Sequence, residues 1–251
     1  MATIIAVVNQ KGGVGKTTTA VNLTAALKEK GKRVLLCDFD PQANATSGLG
    51  LDKRKITESV YDTVVNDTPT ERAIVKTKYG DVLPATADLA GAAVELISME
   101  NPNGRLRAAL SQVESNYDVI FIDCPPSLEM LTLNGLAAAD SILVPVQCEY
   151  YALEGLTDLM NTLRIVKKRI NPRLEIFGVA LTMYDGRTNF SNQVAQEVRR
   201  HFPGKVFATV IPRNVRLAEA PSHGIPVTVY DRLSRGAVAY TAMAEEIIKK
   251  L

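Results

Sequence analysis

Apolar, β-branched runs alternate along the chain with stretches of helical periodicity. The runs cover residues 3–8, 33–37, 119–122, 141–146 and 176–182. Most are continuously apolar rather than alternating, as expected of strands covered on both faces. Helical patterns fill the gaps at 16–30, 128–138, 153–170, 189–201 and 235–251. Strand–helix–strand alternation predicts an α/β fold with a mostly parallel central sheet and helices on both faces. Residues 49–104 are less regular, and there we expect short helices and a strand near 81–84. No repeat, low-complexity tract or linker interrupts the pattern, so a single domain over residues 1–251 is expected.

Composition narrows this little. The 251 residues are 46 % hydrophobic and 22 % charged, enough apolar material for a sizeable core. Cys37, Cys124 and Cys148 are far apart, odd in number and without CxxC spacing, which favours buried free thiols in a reducing cytoplasm over disulfides or a zinc site. No apolar stretch approaches the ~18 residues of a membrane span. The N-terminal segment reads as a first strand rather than a leader. Charge is uneven. Residues 1–150 hold 14 Lys and Arg against 18 Asp and Glu, whereas residues 151–251 hold 15 against 9. A basic C-terminal half is compatible with a polyanionic partner, although on charge alone solvated helix faces are the favoured account.

The chemistry concentrates where the first strand meets the first helix, at Lys11-Gly12-Gly13-Val14-Gly15-Lys16-Thr17-Thr18. Consecutive backbone N–H groups can turn toward one anion only where the chain adopts conformations that glycine allows without strain. The following helix adds the positive end of its dipole. This is the context of a phosphate-binding loop. Lys16 is expected to reach the β- and γ-phosphates, Thr17 to bind Mg²⁺, and Thr18 to lie nearer the α-phosphate. Gln10 stands where the general motif has its first glycine, and Lys11 begins the loop instead. Two further strand ends carry carboxylates: Asp38 and Asp40, then Asp123. Ligands of open parallel sheets bind beyond the carboxyl ends of strands, so these should face the nucleotide. Asp123 is the candidate Walker B carboxylate, acting on Mg²⁺ directly or through water. Asp40 is a candidate to orient the attacking water and to join the metal site. Asp38 would support Lys16 or the metal shell, with turn or helix capping a credible alternative.

The lysine-led loop, Asp38-Phe39-Asp40-Pro41-Gln42-Ala43-Asn44-Ala45-Thr46 and Asp123-Cys124-Pro125-Pro126-Ser127 resemble the deviant Walker A ATPases of the MinD/ParA superfamily. The segments 145–155 and 210–222 are similar to its ParA/Soj chromosome-partition branch. The resemblance implies a P-loop NTPase fold, ATP and ADP with Mg²⁺ as cofactors, and slow ATP hydrolysis. It implies an ATP-dependent homodimer with nucleotide between the subunits. Lys11 would then reach the partner's phosphates, and Gly12 would lie at the tight dimer contact. Lys11, Lys16 and Asp40 would be the catalytic group. Gly12, Gly13, Val14, Gly15, Lys16, Thr17 and Thr18 would cradle the phosphates, Pro212 and Asn214 would contact the adenine, and Thr17, Asp40 and Asp123 would hold the metal. Residues 42–47 and the Pro125-Pro126 segment would be the two switches. The dimer would bind double-stranded DNA non-specifically through Arg187 and Arg216. A ParB/Spo0J-type protein would stimulate hydrolysis, and the ATP form would lie on the nucleoid in the cytoplasm. An N-terminal helix-turn-helix domain, present in some plasmid relatives, is not expected.

Lys167, Lys168, Arg169, Arg199 and Arg200 are further candidates for a basic patch, although for each of them a solvated helix end is the favoured reading. Two other readings stay open on the sequence. A MinD-like regulator of division-site placement would carry an amphipathic, membrane-seeking C-terminal helix; here that end is short, partly acidic and without aromatics. An iron–sulfur reductase of the nitrogenase iron-protein branch would need a second ligand beside Cys124, and none is evident.

Overall fold

The computed structural model describes residues 1–127, 129–149 and 152–251, with the backbone alone for 152–154. Leu128, Tyr150 and Tyr151, at the start of one predicted helix and within one of the ParA/Soj-like segments, lie outside the described residues. Seven strands form one sheet: β1 Thr3–Val7, β2 Val34–Asp38, β3 Val75–Thr77, β4 Gly80–Leu83, β5 Val119–Asp123, β6 Ser141–Gln147 and β7 Glu175–Thr182. Their order is β3-β4-β2-β5-β1-β6-β7, and every pairing is parallel except β3 with β4. The helices are α1 Lys16–Glu29, α2 Asn44–Gly48, α3 Val60–Val65, α4 Thr70–Ala73, α5 Leu89–Glu95, α6 Arg105–Ser111, α7 Met130–Ala138, α8 Ala152–Arg169, α9 Asn189–His201, α10 Val215–Glu219, α11 Val227–Tyr230 and α12 Arg235–Ile248.

The period-2 geometry of a strand divides the apolar runs between two cores. Ile4, Ala6, Leu35, Cys37, Ile120 and Ile122 face one side and pack with side chains of α5 to α9. Ile5, Val7, Val34, Leu36, Val119 and Phe121 face the other and pack with α1 and α12. Both faces of β2 and β5 are buried throughout, as the continuous apolar runs require. Each fully buried Leu or Ile contributes roughly 1.5–3 kcal/mol by leaving water.

Residues 205–212 add an irregular eighth line to the sheet that the sequence analysis passes over. Val179 N–H donates to the Lys205 carbonyl, Phe207 N–H to that of Val179, and Ile211 N–H to that of Leu181. Between these bonds the Ala208 and Thr209 N–H groups turn to the Glu246 carboxylate of α12, at 2.9 and 2.7 Å. The sheet edge is thereby covered by side-chain acceptors rather than by another strand. Two buried bonds then fix α1 against the C-terminal region: Thr19 Oγ1 lies 3.0 Å from the Tyr240 hydroxyl, and Asn22 Oδ1 accepts from Val227 N–H at 2.7 Å. The helix that follows the glycine loop is therefore braced on the side that carries residues 211–240.

Candidate functional site

Strand register builds the site. Val7 pairs with Asp123 across β1 and β5, and Asp38 pairs with Asp123 across β2 and β5. The glycine loop and the predicted carboxylates thus meet at one carboxyl edge of the sheet. Gly13 and Gly15 have φ of 74° and 89°, the left-handed region where a side chain would be strained. Val14 between them is buried and fixes the loop to the core, and its carbonyl accepts from Thr182 Oγ1 at 2.8 Å. Asn9 fixes the other flank: its Oδ1 accepts from Lys11 N–H at 3.0 Å, and its Nδ2 donates to the Pro145 carbonyl at 2.7 Å. Gly15 is the N-cap of α1 and offers no capping side chain, so the first-turn N–H groups point into the loop's concavity.

Gly12 differs from its neighbours. Its φ is not left-handed, and a Cβ there would meet nothing within 4 Å. Neither the backbone nor the packing of this chain demands glycine at that position. The Lys11 side chain runs back along the first turn of α8, where a Cβ on Gly155 would sit 3.1 Å from Lys11 Cε. Lys16 is buried, with its Nζ donating to the Lys11 carbonyl at 3.0 Å. Burial lowers the pKa of Lys16, while the charges of Asp123, Cys124 and Asp40 oppose that shift.

The three aspartates have different surroundings. Asp38 is fully buried and saturated: Oδ2 accepts from Thr46 N–H and Thr46 Oγ1, both at 2.7 Å, and Oδ1 from Asp40 N–H at 3.3 Å. Burial nonetheless pushes its carboxyl up to about 6. Of the readings open on the sequence, this geometry favours capping: Asp38 holds the start of α2 through Thr46, whose hydroxyl also accepts from Ala85 N–H at 3.0 Å. Asp40 Oδ1 accepts from Gln42 N–H at 2.9 Å, which shapes the turn into Ala43, a non-glycine at φ 53°. Asp123 is fully buried, and neither of its oxygens has a well-formed hydrogen bond. The neighbouring Thr17 hydroxyl favours the charged form, but it makes no well-formed bond to either oxygen. Burial, reinforced by the neighbouring charge of Asp38, pushes the Asp123 carboxyl well above the ordinary range. A buried, unpartnered carboxylate beside a lysine and a threonine hydroxyl suits a divalent cation.

Next to the loop lies a cleft of about 370 Å³, within the roughly 300–1,000 Å³ usual for small-molecule sites. Gly15 and Thr18 form one wall, Thr182 and Met183 the floor, and residues 211–215 the other wall. Pro212 and Asn214 are in that wall, so the structure brings them to the loop from some 200 residues away. Backbone bonds hold the wall to the end of β7: Tyr184 N–H donates to the Ile211 carbonyl and Arg213 N–H to that of Tyr184. Asn214 Oδ1 accepts from Arg216 N–H at 2.9 Å and so caps α10. Sequence reasoning passes over Asn9 and Thr182 and gives Thr46 no role of its own within the first switch; their only individual signal is a polar residue at a strand or helix end.

Arg187 and Arg216 flank this same edge, and both are paired within the chain. Arg187 donates to both oxygens of Asp185, at 2.9 and 2.7 Å, and Arg216 bonds Glu219 at 2.8 Å and Asp231 at 3.2 Å. Lys167 lies elsewhere. It pairs with Glu175 at the opposite end of β7, seven residues or about 23 Å from Thr182. Lys168 and Arg169 share that last turn of α8, and Arg199 and Arg200 stand in the last turn of α9, with Arg200 beside Glu197. The three cysteines are buried and free; burial pushes the Cys124 thiol up, and among the described residues no group of three His, Cys, Asp or Glu is arranged to hold a metal ion.

Comparisons with known proteins agree with this geometry. A family model described as an AAA domain matches residues 2–176. The sporulation initiation inhibitor protein Soj of Bacillus subtilis is 57 % identical over 249 residues, covering 98 % of either chain. The chromosome partitioning protein ParA of Myxococcus xanthus is 52 % identical, over 98 % of this chain and 88 % of that protein. Among solved structures, a Mycobacterium smegmatis protein named cobyrinic acid a,c-diamide synthase, bound to ADP and magnesium, superposes with a TM-score of 0.87 at 40 % identity, over 99 % of this chain and 95 % of that one. The seven-stranded sheet, the lysine-led glycine loop at its carboxyl edge and full-length relatives of this kind together make this chain a member of the Soj/ParA family of chromosome-partitioning ATPases.

Proposed function

We propose that this chain is an ATP-operated switch for DNA partition. ATP and Mg²⁺ occupy the loop and cleft, with the phosphates in the cradle of residues 11–18 and the adenine against Pro212 and Asn214. Thr17, Asp123 and Asp40 hold Mg²⁺, which supplies positive charge beside the phosphates. The orphaned oxygens of Asp123 support that assignment. Magnesium keeps several waters and phosphate oxygens as ligands, so it needs few protein groups. Asp40 orients the attacking water, and Lys16 neutralises charge that develops on the transferred phosphoryl group.

Gly12 carries the dimer reading. It is a glycine that its own chain does not require, on the open side of the loop. A second subunit pressed against that face would require it, and would bring Lys11 across to the partner's phosphates. The complete site would then exist only in the ATP-bound pair, which makes ATP a switch rather than a fuel for rapid turnover. The pair binds double-stranded DNA through Arg187 and Arg216, and a ParB/Spo0J-type protein triggers hydrolysis and release. The working location is the nucleoid.

Nothing in the structure favours a membrane-recruited, MinD-like regulator. Tyr240, Met243, Ala244 and Ile247 turn the apolar side of α12 into the core, and no described helix is long and apolar enough to cross a membrane. Flotation with anionic vesicles, run beside anisotropy with a labelled duplex, separates the two readings. ATP-dependent duplex binding without vesicle capture is expected; vesicle capture without duplex binding would overturn the partition reading.

A further inference from the structure

Arg187, Arg216 and Arg235 carry three positive charges at the nucleotide edge, and three carboxylates stand among them. Asp185 receives Arg187 in a two-pronged pair, and its carboxyl is held down to about 2 by that bond, with Arg235 adding to the effect. Glu219 and Asp231 share Arg216. The strip alternates in sign and is neutral, although it lies in the basic half of the chain.

Stability does not explain these pairs. The Arg187 side chain is 89 % exposed, and exposed ion pairs of this kind contribute only ~0–1 kcal/mol. Their effect on an incoming polyanion is larger. A duplex gains affinity for each phosphate that a protein cation neutralises, through release of condensed counterions. An arginine already matched by a carboxylate yields no such gain until that partner is displaced, and the carboxylate then repels the phosphate.

We propose that Asp185, Glu219 and Asp231 are built-in competitors for the arginines that meet DNA, so that duplex binding is weaker, less salt-dependent and easier to reverse than the arginine count implies. This inference rests on the DNA-binding reading above. The pairing geometry makes it local: Asp185 acts on Arg187, and Glu219 and Asp231 together on Arg216. Asparagine at position 185 keeps an oxygen for the Arg187 N–H, now bonded to Asp185 Oδ1 at 3.1 Å, so the turn survives while the charge goes.

The test is duplex binding by the full chain with a non-hydrolysable ATP analogue and Mg²⁺, measured by anisotropy across a salt series. Thermal melting checks that each variant is folded. One unmatched charge steepens the slope of log K against log salt by ~0.9, about an eightfold gain at 0.1 M relative to 1 M salt. Asp185→Asn should show that gain and lose most of it in the Arg187→Ala background; Glu219→Gln combined with Asp231→Asn, which removes both partners of Arg216, should depend on Arg216 in the same way. Equal or weaker binding by Asp185→Asn, or a gain that persists undiminished without Arg187, overturns the competitor role while leaving the DNA reading intact. Absence of duplex binding by the unsubstituted protein overturns both.

Discussion

Replacing Asp123 with asparagine should have opposite effects on the free and the nucleotide-bound protein. In the free protein Asp123 is a fully buried carboxylate without a good hydrogen-bond donor, and burial raises its pKa. Leaving a buried polar group unpartnered costs roughly 1–3 kcal/mol, and more when it is charged. Asparagine is nearly the same size and cannot ionise, although its amide is no better partnered, so the metal-free variant should gain only the part of that cost owed to charge, at most about 3 kcal/mol. For a chain of this length, where 1 kcal/mol moves Tm by ~2–4 °C, the rise is at most about 12 °C. With ATP and Mg²⁺ at a hundredfold excess over Kd, the unsubstituted protein should gain ~2.7 kcal/mol from binding, a shift of about 5–11 °C. The amide of Asp123→Asn cannot supply the anionic oxygen, so most of the Mg²⁺-dependent part of that shift should vanish. Differential scanning fluorimetry with EDTA, with ATP and EDTA, and with ATP and Mg²⁺ separates the terms. A Tm several degrees lower in EDTA would mean that Asp123 is not orphaned, and an intact Mg²⁺-dependent shift would remove it from the metal site.

Lys16→Ala should weaken ATP binding at least tenfold, ~1.4 kcal/mol, in calorimetric titration, and an unchanged Kd would refute its phosphate role. Thr46→Val should cost about 2–5 kcal/mol in denaturant unfolding, because Asp38 loses a buried donor and Ala85 N–H loses its acceptor; a loss under ~0.5 kcal/mol would show that the Asp38–Thr46 link holds nothing. In metal-free protein the Asp38 carboxyl should titrate near 6 rather than 3.8. Its folded pKa is raised, so its contribution to stability is fully present below 3.8 and is lost as pH rises through 6. The carboxyl carbon resonance of Asp38 reports this directly, and a midpoint near 3.8 would contradict the burial argument.

The long elements are legible because burial on both faces leaves an unambiguous apolar run, and β1, β2, β5, β6 and β7 lie within a residue or two of the predicted ranges. β3 escapes a sequence reading because Val75-Lys76-Thr77 is a short, half-exposed edge strand with too little apolar signal. The line at 205–212 escapes it too, although Val206, Phe207 and Ile211 are apolar. Its backbone bonds are split between β7 and a carboxylate 38 residues away in sequence, and no local pattern encodes that. At the site, the glycine loop stands out as a candidate phosphate cradle because such a cradle would need those residue types in consecutive positions, and Asp123 stands out because it ends a continuous apolar strand. The capping role of Asp38 is readable only as one alternative, since the choice depends on Thr46, eight residues on and turned back by the strained Ala43. The pairing of Arg187 and Arg216 is equally invisible, because the motif names the arginines and geometry alone supplies their partners.

The central claim is that ATP closes two chains around Gly12 and Lys11. Asp40→Ala should bind ATP without turnover, so its nucleotide state can be held while mass is measured. Size exclusion with light scattering should give 27.2 kDa with ADP and twice that mass with ATP and Mg²⁺. Adding Gly12→Val should return the ATP form to the monomer without loss of nucleotide binding. A monomer with ATP, or a dimer that persists with ADP and tolerates valine at position 12, would contradict the account.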